Sequence, residues 1–336
     1  MIRTSETFRR DVRSVVLAAA VIAAVTALSS IPRTVSAWGC DGHHIVALIA
    51  QKHLQGSDAA AAAKLLTEHP IEPSLKRFCN AKGLDAFVDA ATWADDHRNE
   101  HPETGPWHFL DIPRGVSDDN VGQHCPPEGC ITKALKTQVE ILNNPQEAGA
   151  KRADALRFVI HFAGDIHQPL HIITNNDRGG NCIPVTFFGK KPALTNAEKG
   201  SFSPNLHAVW DTDLIRRMPK GTDAAAVTKL ADDLQAEFKG KQASWKSAGS
   251  DFDVWARESH RLAESKGYRT MQQKIAVETP VPVETCNDAN KISTRMLALD
   301  ENIGPLYEKA VAPTIREQLA KAGFRLAELL KTVKWQ

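Results

Sequence analysis

Apolar residues recur at three- and four-residue spacing along most of this chain, the pattern of helices that bury one face. It predicts helices over 43–54, 84–98, 132–142, 153–166, 223–238, 243–262 and 313–333. In the first, Val46, Ile49, Ala50 and Leu54 share a face. Pro313 suits the first turn of the last helix, where a missing N–H costs nothing. Strand signals are few. Segments 171–174 and 183–188 flank the turn-rich NNDRGGN at 175–181 and predict a short hairpin. Stretches 99–106, 113–130 and 189–205 read as loops. With no internal repeat and no low-complexity linker, the expected fold is mainly α, one domain over 38–336 with a small β-hairpin.

The N-terminus departs from this pattern. Arg9, Arg10 and Arg13 precede an Ala-rich apolar run of 14 residues, 15–28, short of the about 20 that span a membrane. Val35, Ser36 and Ala37 then place small residues where a signal peptidase cuts. Residues 1–37 are therefore expected to be a secretory signal peptide, with Trp38 opening a mature, secreted or periplasmic chain and no membrane segment left. Their removal takes away five Arg, one Glu and one Asp, leaving 36 basic against 38 acidic side chains, a formal −2. That balance excludes a protein that holds duplex nucleic acid through a broad basic surface. Six cysteines in an exported chain point to disulfides. Cys125 and Cys130 bracket a loop short enough to close on itself. Cys40, Cys79, Cys182 and Cys286 allow three pairings. No Cys-x-x-Cys occurs, which argues against a thiolate zinc site.

The chemistry concentrates in HFAGDIHQPLH, 161–171. His161 and Asp165 are four apart, on one helical face. His207 and Asp211 repeat the spacing. One such unit is most often an ordinary surface ion pair, but two together suit a divalent metal such as zinc. His171 follows Pro169 and approaches from outside the helix. His167 lies about 200° around from Asp165 and points away. Asp95, with Arg98 one turn on, and His108, in WHFLD, can join the set. If Trp38 is N-terminal, its free amine is a further donor near neutral pH.

With these residues in view, the chain resembles the S1/P1 nuclease family, zinc-dependent enzymes that hydrolyse single-stranded nucleic acid. The resemblance rests on WGCDGH at 38–43, WADDHR at 93–98, WHFLD at 107–111, HFAGDIHQPLH at 161–171, DRGGN at 177–181, NLHAVWD at 205–211 and AGFRLAELL at 322–330, all in family order. It implies the helical fold of phospholipase C and P1 nuclease and three zinc ions. One would be held by Asp95, His108, His161 and Asp165, a second by His171, His207 and Asp211, a third by the Trp38 amine and carbonyl, His43 and a bridging Asp165. It also implies that Asp95, Arg98 and Asp165 serve catalysis, that Phe109 stacks on a base and Asp111 bonds its edge, and that Asn181 lines the same pocket. The expected activity is endonucleolytic cleavage of single-stranded DNA and RNA to 5′-phosphate products, with removal of 3′-phosphates from 3′-nucleotides, by a monomer without a stable protein partner. A zinc-dependent phospholipase C is the alternative, but its His-x-x-x-Glu is replaced here by His207-x-x-x-Asp211.

Overall fold

The computed structural model describes residues 38–75, 79, 85–219, 223–271, 274–287 and 301–335; the expected signal peptide, 1–37, lies outside them. Helix α1, Cys40–His53, packs against the long C-terminal helix introduced below. Helix α2, Gly56–Glu68, lies outside the expected set: its Ala-rich sequence buries only Ala62 and Leu66, too narrow a stripe to stand out. The expected helix over 84–98 is broken. A turn Ala86–Asp89, capped by the Asp85 carboxylate, leads through a 3-10 turn, Ala90–Thr92, into α3, Trp93–Glu100. Asp95 therefore sits near the start of a helix rather than its end. Helices α4, Ile131–Asn143, and α5, Gly149–Asp165, run side by side. From Ala155 to Asp165 every residue of α5 is buried, so its polar side chains must find partners inside the protein.

Helix α6, Ala224–Glu237, is capped by Asp223. The expected helix 243–262 divides into Gln242–Lys246 and α7, Phe252–Leu262, the latter capped by Asp251. The last helix, α8, spans Pro305–Leu330. Pro305 takes the first turn expected of Pro313, which lies inside the helix. Gly323 lets α8 approach α1, because a Cβ there would fall 2.5 Å from the Ile49 Cβ. One large apolar cluster, including Trp38, Trp210, Trp255 and Phe162, joins these helices.

The small sheets lie elsewhere than expected. Segment 171–174 runs parallel to 110–114 instead, with Leu110 N–H donating to His171 O and Thr174 N–H to Ile112 O. Strand β1, Val185–Phe187, pairs in parallel with Glu301–Ile303. The antiparallel hairpin is formed by Ala193–Asn196 and Ser201–Ser203, inside a stretch expected to be loop. The 175–181 segment cannot close a simple hairpin because it winds through positive φ at Asn176, Arg178, Gly179 and Gly180. The cysteines form three disulfides, Cys40–Cys79, Cys125–Cys130 and Cys182–Cys286, which resolves the pairings left open. Such bonds persist in oxidising compartments. Among the described residues no helix is long and apolar enough to cross a membrane.

Candidate active site

The last turn of α5 brings His161 Nε2 and Asp165 Oδ2 to 3.1 Å. His108, at the end of the 3-10 stretch Pro102–His108, adds its Nδ1 at 3.1 Å from the same oxygen and 3.0 Å from His161 Nε2. Asp95 Oδ1 lies 3.8 Å from both rings. On the other side, His43 from the first turn of α1 places Nε2 3.2 Å from Asp165 Oδ1, its ring stacked on His161 at 4.0 Å. Gly164 makes room, since a Cβ there would stand 2.9 Å from His43 Nδ1. The 3-10 turn at 90–92 presents the Ala91 carbonyl, which accepts from His161 Nδ1 at 2.7 Å. That bond turns Nε2 and its lone pair towards the carboxylates.

A second cluster forms where the chain leaves α5. The 3-10 turn Pro169–His171 delivers His171, whose Nδ1 donates to the His108 carbonyl at 2.8 Å. Asn205 caps the short helix Leu206–Ala208, and a π-turn, Val209–Asp213, follows. His207 and Asp211 straddle this change of winding, Nε2 to Oδ2 at 3.1 Å. His207 Nδ1 donates to the Gly179 carbonyl at 2.7 Å. The Nε2 atoms of His171 and His207 then face each other at 3.1 Å. The N-terminal segment reaches both clusters: the Trp38 indole N–H donates to Gly164 O at 2.7 Å, and Gly39 N–H to Asp211 O at 2.7 Å.

Charge is arranged accordingly. Burial opposes ionisation of Asp165, yet His161, His108 and His43 together hold its carboxyl well below the usual range. Asp95 is likewise held down against its burial, chiefly by Arg98 and then by His161 and His108. Burial and the neighbouring Arg98 push His108 down to about 4. Burial opposes a charge on His171 too, but bonding to Asp211 and the fields of Asp165 and Asp211 prevail and raise it to about 9.

Three groups of buried donors converge here: His43, His161 and Asp165; Asp95, His108 and His161; His171, His207 and Asp211. Their fit to zinc can be checked on the spacing. Four ligands at about 2.0–2.1 Å in a tetrahedron stand about 3.3 Å apart, close to the observed 3.0–3.2 Å edges. His171 and His207, whose Nδ1 atoms donate to carbonyls while their Nε2 atoms face each other, are oriented to share a cation.

A profile of the S1/P1 nuclease family matches residues 38–334. The chain belongs to the S1/P1 nuclease family. It is similar to endonuclease 3 of Arabidopsis thaliana, 26% identical over 319 residues covering 93% of this chain and 94% of the relative. It is also similar to nuclease S1 of Aspergillus oryzae, 28% identical with 89% and 92% covered, and to nuclease P1 of Penicillium citrinum, 26% identical with 88% and 97% covered. As an S1/P1 nuclease it is a zinc-dependent phosphodiesterase, and the phospholipase alternative is not favoured.

The remaining expected residues of this nuclease surround the clusters. Arg98, 17% exposed, places Nη2 3.2 Å from Asp95 Oδ1. Phe109, beside His108, keeps 38% of its surface open. Asp111 is exposed. Its dense surroundings, then Asp177, push its carboxyl up to about 7, although its open face to water tempers the desolvation. Asn181 turns inward: Nδ2 donates to Arg178 O at 2.8 Å and Oδ1 is buried without a hydrogen-bond partner. His167 does point away, accepting from Arg325 at 3.1 Å while Nδ1 donates to Ala163 O. Burial and Arg325 keep it neutral. Sequence reasoning passed over Gln168, which donates to Asp211 Oδ1 and accepts from Leu170 N–H. Its place between Asp165 and His171 in DIHQPLH was the available signal. The carbonyls of Ala91, His108 and Gly179 left none, since a backbone oxygen has no residue type.

Proposed function

We propose that this chain is an exported, monomeric endonuclease that cuts single-stranded DNA and RNA to 5′-phosphate products and removes the 3′-phosphate of 3′-nucleotides. The observation that carries the reading is the pair of buried His/Asp clusters, with imidazoles oriented by backbone carbonyls, beside a half-open aromatic ring. Three zinc ions are the proposed complement: Asp95, His108, His161 and Asp165 for the first, His171, His207 and Asp211 for the second, and Trp38, His43 and Asp165 for the third. The third site requires cleavage after Ala37, and the family match starting at Trp38 supports it. Bound zinc supplies a water acidic enough to attack at neutral pH and positive charge for the phosphoryl oxygens.

The protein side chains then have separate duties. Arg98 orients Asp95 and meets charge on the phosphate. Phe109 offers a stacking face worth about 1–3 kcal/mol to any base, provided the base is not already stacked in a duplex. Asp111 accepts from the base edge, and Asn181 closes the pocket. Gln168 holds Asp211 in its rotamer.

The test incubates the chain beginning at Trp38 with single-stranded DNA, RNA, duplex DNA and phosphatidylcholine, with and without a chelator. Rapid cleavage of both single strands, slow cleavage of duplex and loss of activity on chelation are expected. Turnover of phosphatidylcholine without nucleic-acid cleavage would overturn the substrate reading.

A further inference from the structure

The turn 175–182 is fastened at both ends by groups far along the chain. At its entry the side-chain amides of Asn175 and Asn176 pair with the segment 276–281 as peptide groups would. Asn175 Nδ2 donates to Ala276 O at 2.8 Å, and its Oδ1 accepts from Glu278 N–H at 3.0 Å. Asn176 repeats the arrangement with Thr279 O at 2.7 Å and Val281 N–H at 2.9 Å. At its exit the Cys182–Cys286 disulfide ties the turn to the chain just beyond that segment. Between these anchors Gly179 turns its carbonyl to His207 Nδ1 at 2.7 Å. Gly179 and Gly180 both have positive φ. Neither carries a side chain that could hold the peptide between them, and glycine leaves the backbone its greatest freedom.

The middle of the turn is held by Asp177. Its carboxylate is fully buried, with the Tyr268 hydroxyl 2.8 and 3.0 Å from its two oxygens and the Asn175 N–H donating to Oδ1 at 3.1 Å. Among the described residues no basic side chain pairs with it. A buried carboxylate is costly unless it is bonded, so these donors fix where it sits. The Asp177 carbonyl also accepts from Cys182 N–H at 3.0 Å, which closes the turn. Tyr268 is itself immobilised. It is buried at the end of the π-turn Ala263–Tyr268 that continues α7, with the Arg114 guanidinium over its ring at 4.9 Å. Arg114 is bonded in turn to Glu264 at 2.6 Å and to the Ile275 carbonyl at 2.8 Å. A continuous set of contacts thus runs from the end of α7 through Tyr268 to Asp177, two residues before the carbonyl that meets His207.

We propose that Asp177, clamped by Tyr268, is a positioning residue for the Asp211 cluster: it fixes the Gly179 carbonyl and, through it, the His207 ring. With Nδ1–H held by that carbonyl, His207 Nε2 faces His171 Nε2 and Asp211 Oδ2, each at 3.1 Å. An oriented imidazole binds metal more tightly than one free to turn. The proposal rests on the metal-binding reading above and adds to it a pair of residues that touch no ligand atom.

The experiment compares the wild-type chain with Asp177→Ala, Asp177→Asn and Tyr268→Phe. Zinc affinities are measured by calorimetry, and in the metal-free chains the His207 Nδ1 proton is followed by NMR. Asp177→Ala is expected to weaken one zinc ion by about tenfold or more, with the other ions bound as in the wild type and the His207 proton exchanging faster with water. Tyr268→Phe, which loses only a hydroxyl, should act in the same direction by less. Asp177→Asn keeps an acceptor for Asn175 N–H and can donate to the Tyr268 oxygen, so it should recover most of the affinity. A merely structural role would lower the unfolding temperature without singling out one ion or the His207 proton. Wild-type zinc affinities and wild-type proton exchange in Tyr268→Phe and Asp177→Ala, or equal weakening of every ion, would overturn the proposal. If Asp177→Ala does not fold, Tyr268→Phe decides it. If the wild-type chain binds no zinc, the metal-binding reading fails, and His207 proton exchange still decides the role of Asp177.

Discussion

The clusters around Asp165 and Asp211 use one spacing on two backbones. His161 and Asp165 lie on a regular helix, whereas His207 and Asp211 straddle a helix and a π-turn. Both pairs nevertheless close to 3.1 Å. The i,i+4 relation thus survives a local rewinding, and the differences come from what surrounds each pair. Asp165 is met by three histidines, His43, His108 and His161, and is fully buried among helices. Asp211 is met by two, His171 and His207, and its cluster depends on a 3-10 turn, a glycine loop and Gln168. The first cluster is a helix-packed centre and the second a loop-built one.

Removal of each carboxylate separates the two most sharply. Asp165→Ala takes a donor from two of the three proposed zinc sites and is expected to reduce nuclease activity well beyond the about 10–100-fold typical of losing an outer partner. Asp211→Ala disturbs one group and should be the milder change. Rates on a single-stranded substrate, with zinc content measured alongside, give the order; equal or reversed losses would show that Asp165 is not the shared residue.

The loop-built cluster should also be sensitive to a residue that touches no metal. Gly179→Ala places a Cβ 2.2 Å from the Leu170 carbonyl at a backbone φ of 60°, so the loop must move. The carbonyl that fixes His207 moves with it. About 10–100-fold weaker zinc binding is expected, with the Asp165 cluster unaffected. A comparable change at Gly164, against His43, should act on the other cluster.

Acid should act on both clusters, through a different histidine in each. Without metal, His171 is raised to about 9, so below that pH zinc must displace a proton from the Asp211 cluster. Its apparent affinity should fall towards tenfold per unit as pH drops from 9 to 6. In the Asp165 cluster His108 is already proton-free above about 4, but Asp165 and Asp95 raise His161 against its burial, so there the displaced proton comes from His161. Zinc titrations at several pH values check this through the protons released per ion.

Much of this was legible in the sequence because helical periodicity and i,i+4 spacing are local. The helices that bury α5 and carry His43, His161 and Asp165 follow from apolar spacing alone. The hairpin was misplaced because 171–174 pairs with 110–114, a partner some sixty residues away that local pattern cannot reveal. Helix α2 escaped because alanine gives little contrast between its faces. Pro313 misled because Pro305 provides an earlier start. The disulfides of Cys40, Cys79, Cys182 and Cys286 needed the fold to choose a pairing. At the site, residue types announced the donors, whereas the orienting carbonyls appear only in three dimensions.

The central claim is that both clusters, together with a free Trp38 amine, form a trinuclear zinc centre. The most direct measurement is elemental zinc content and single-strand cleavage for two purified chains, one beginning at Trp38 and one carrying a single extra residue before it. Three zinc ions per chain and full activity are predicted for the first, with weakened binding of one ion and reduced cleavage for the second. Equal zinc content and equal activity in the two chains, or full cleavage after complete removal of metal, would contradict it.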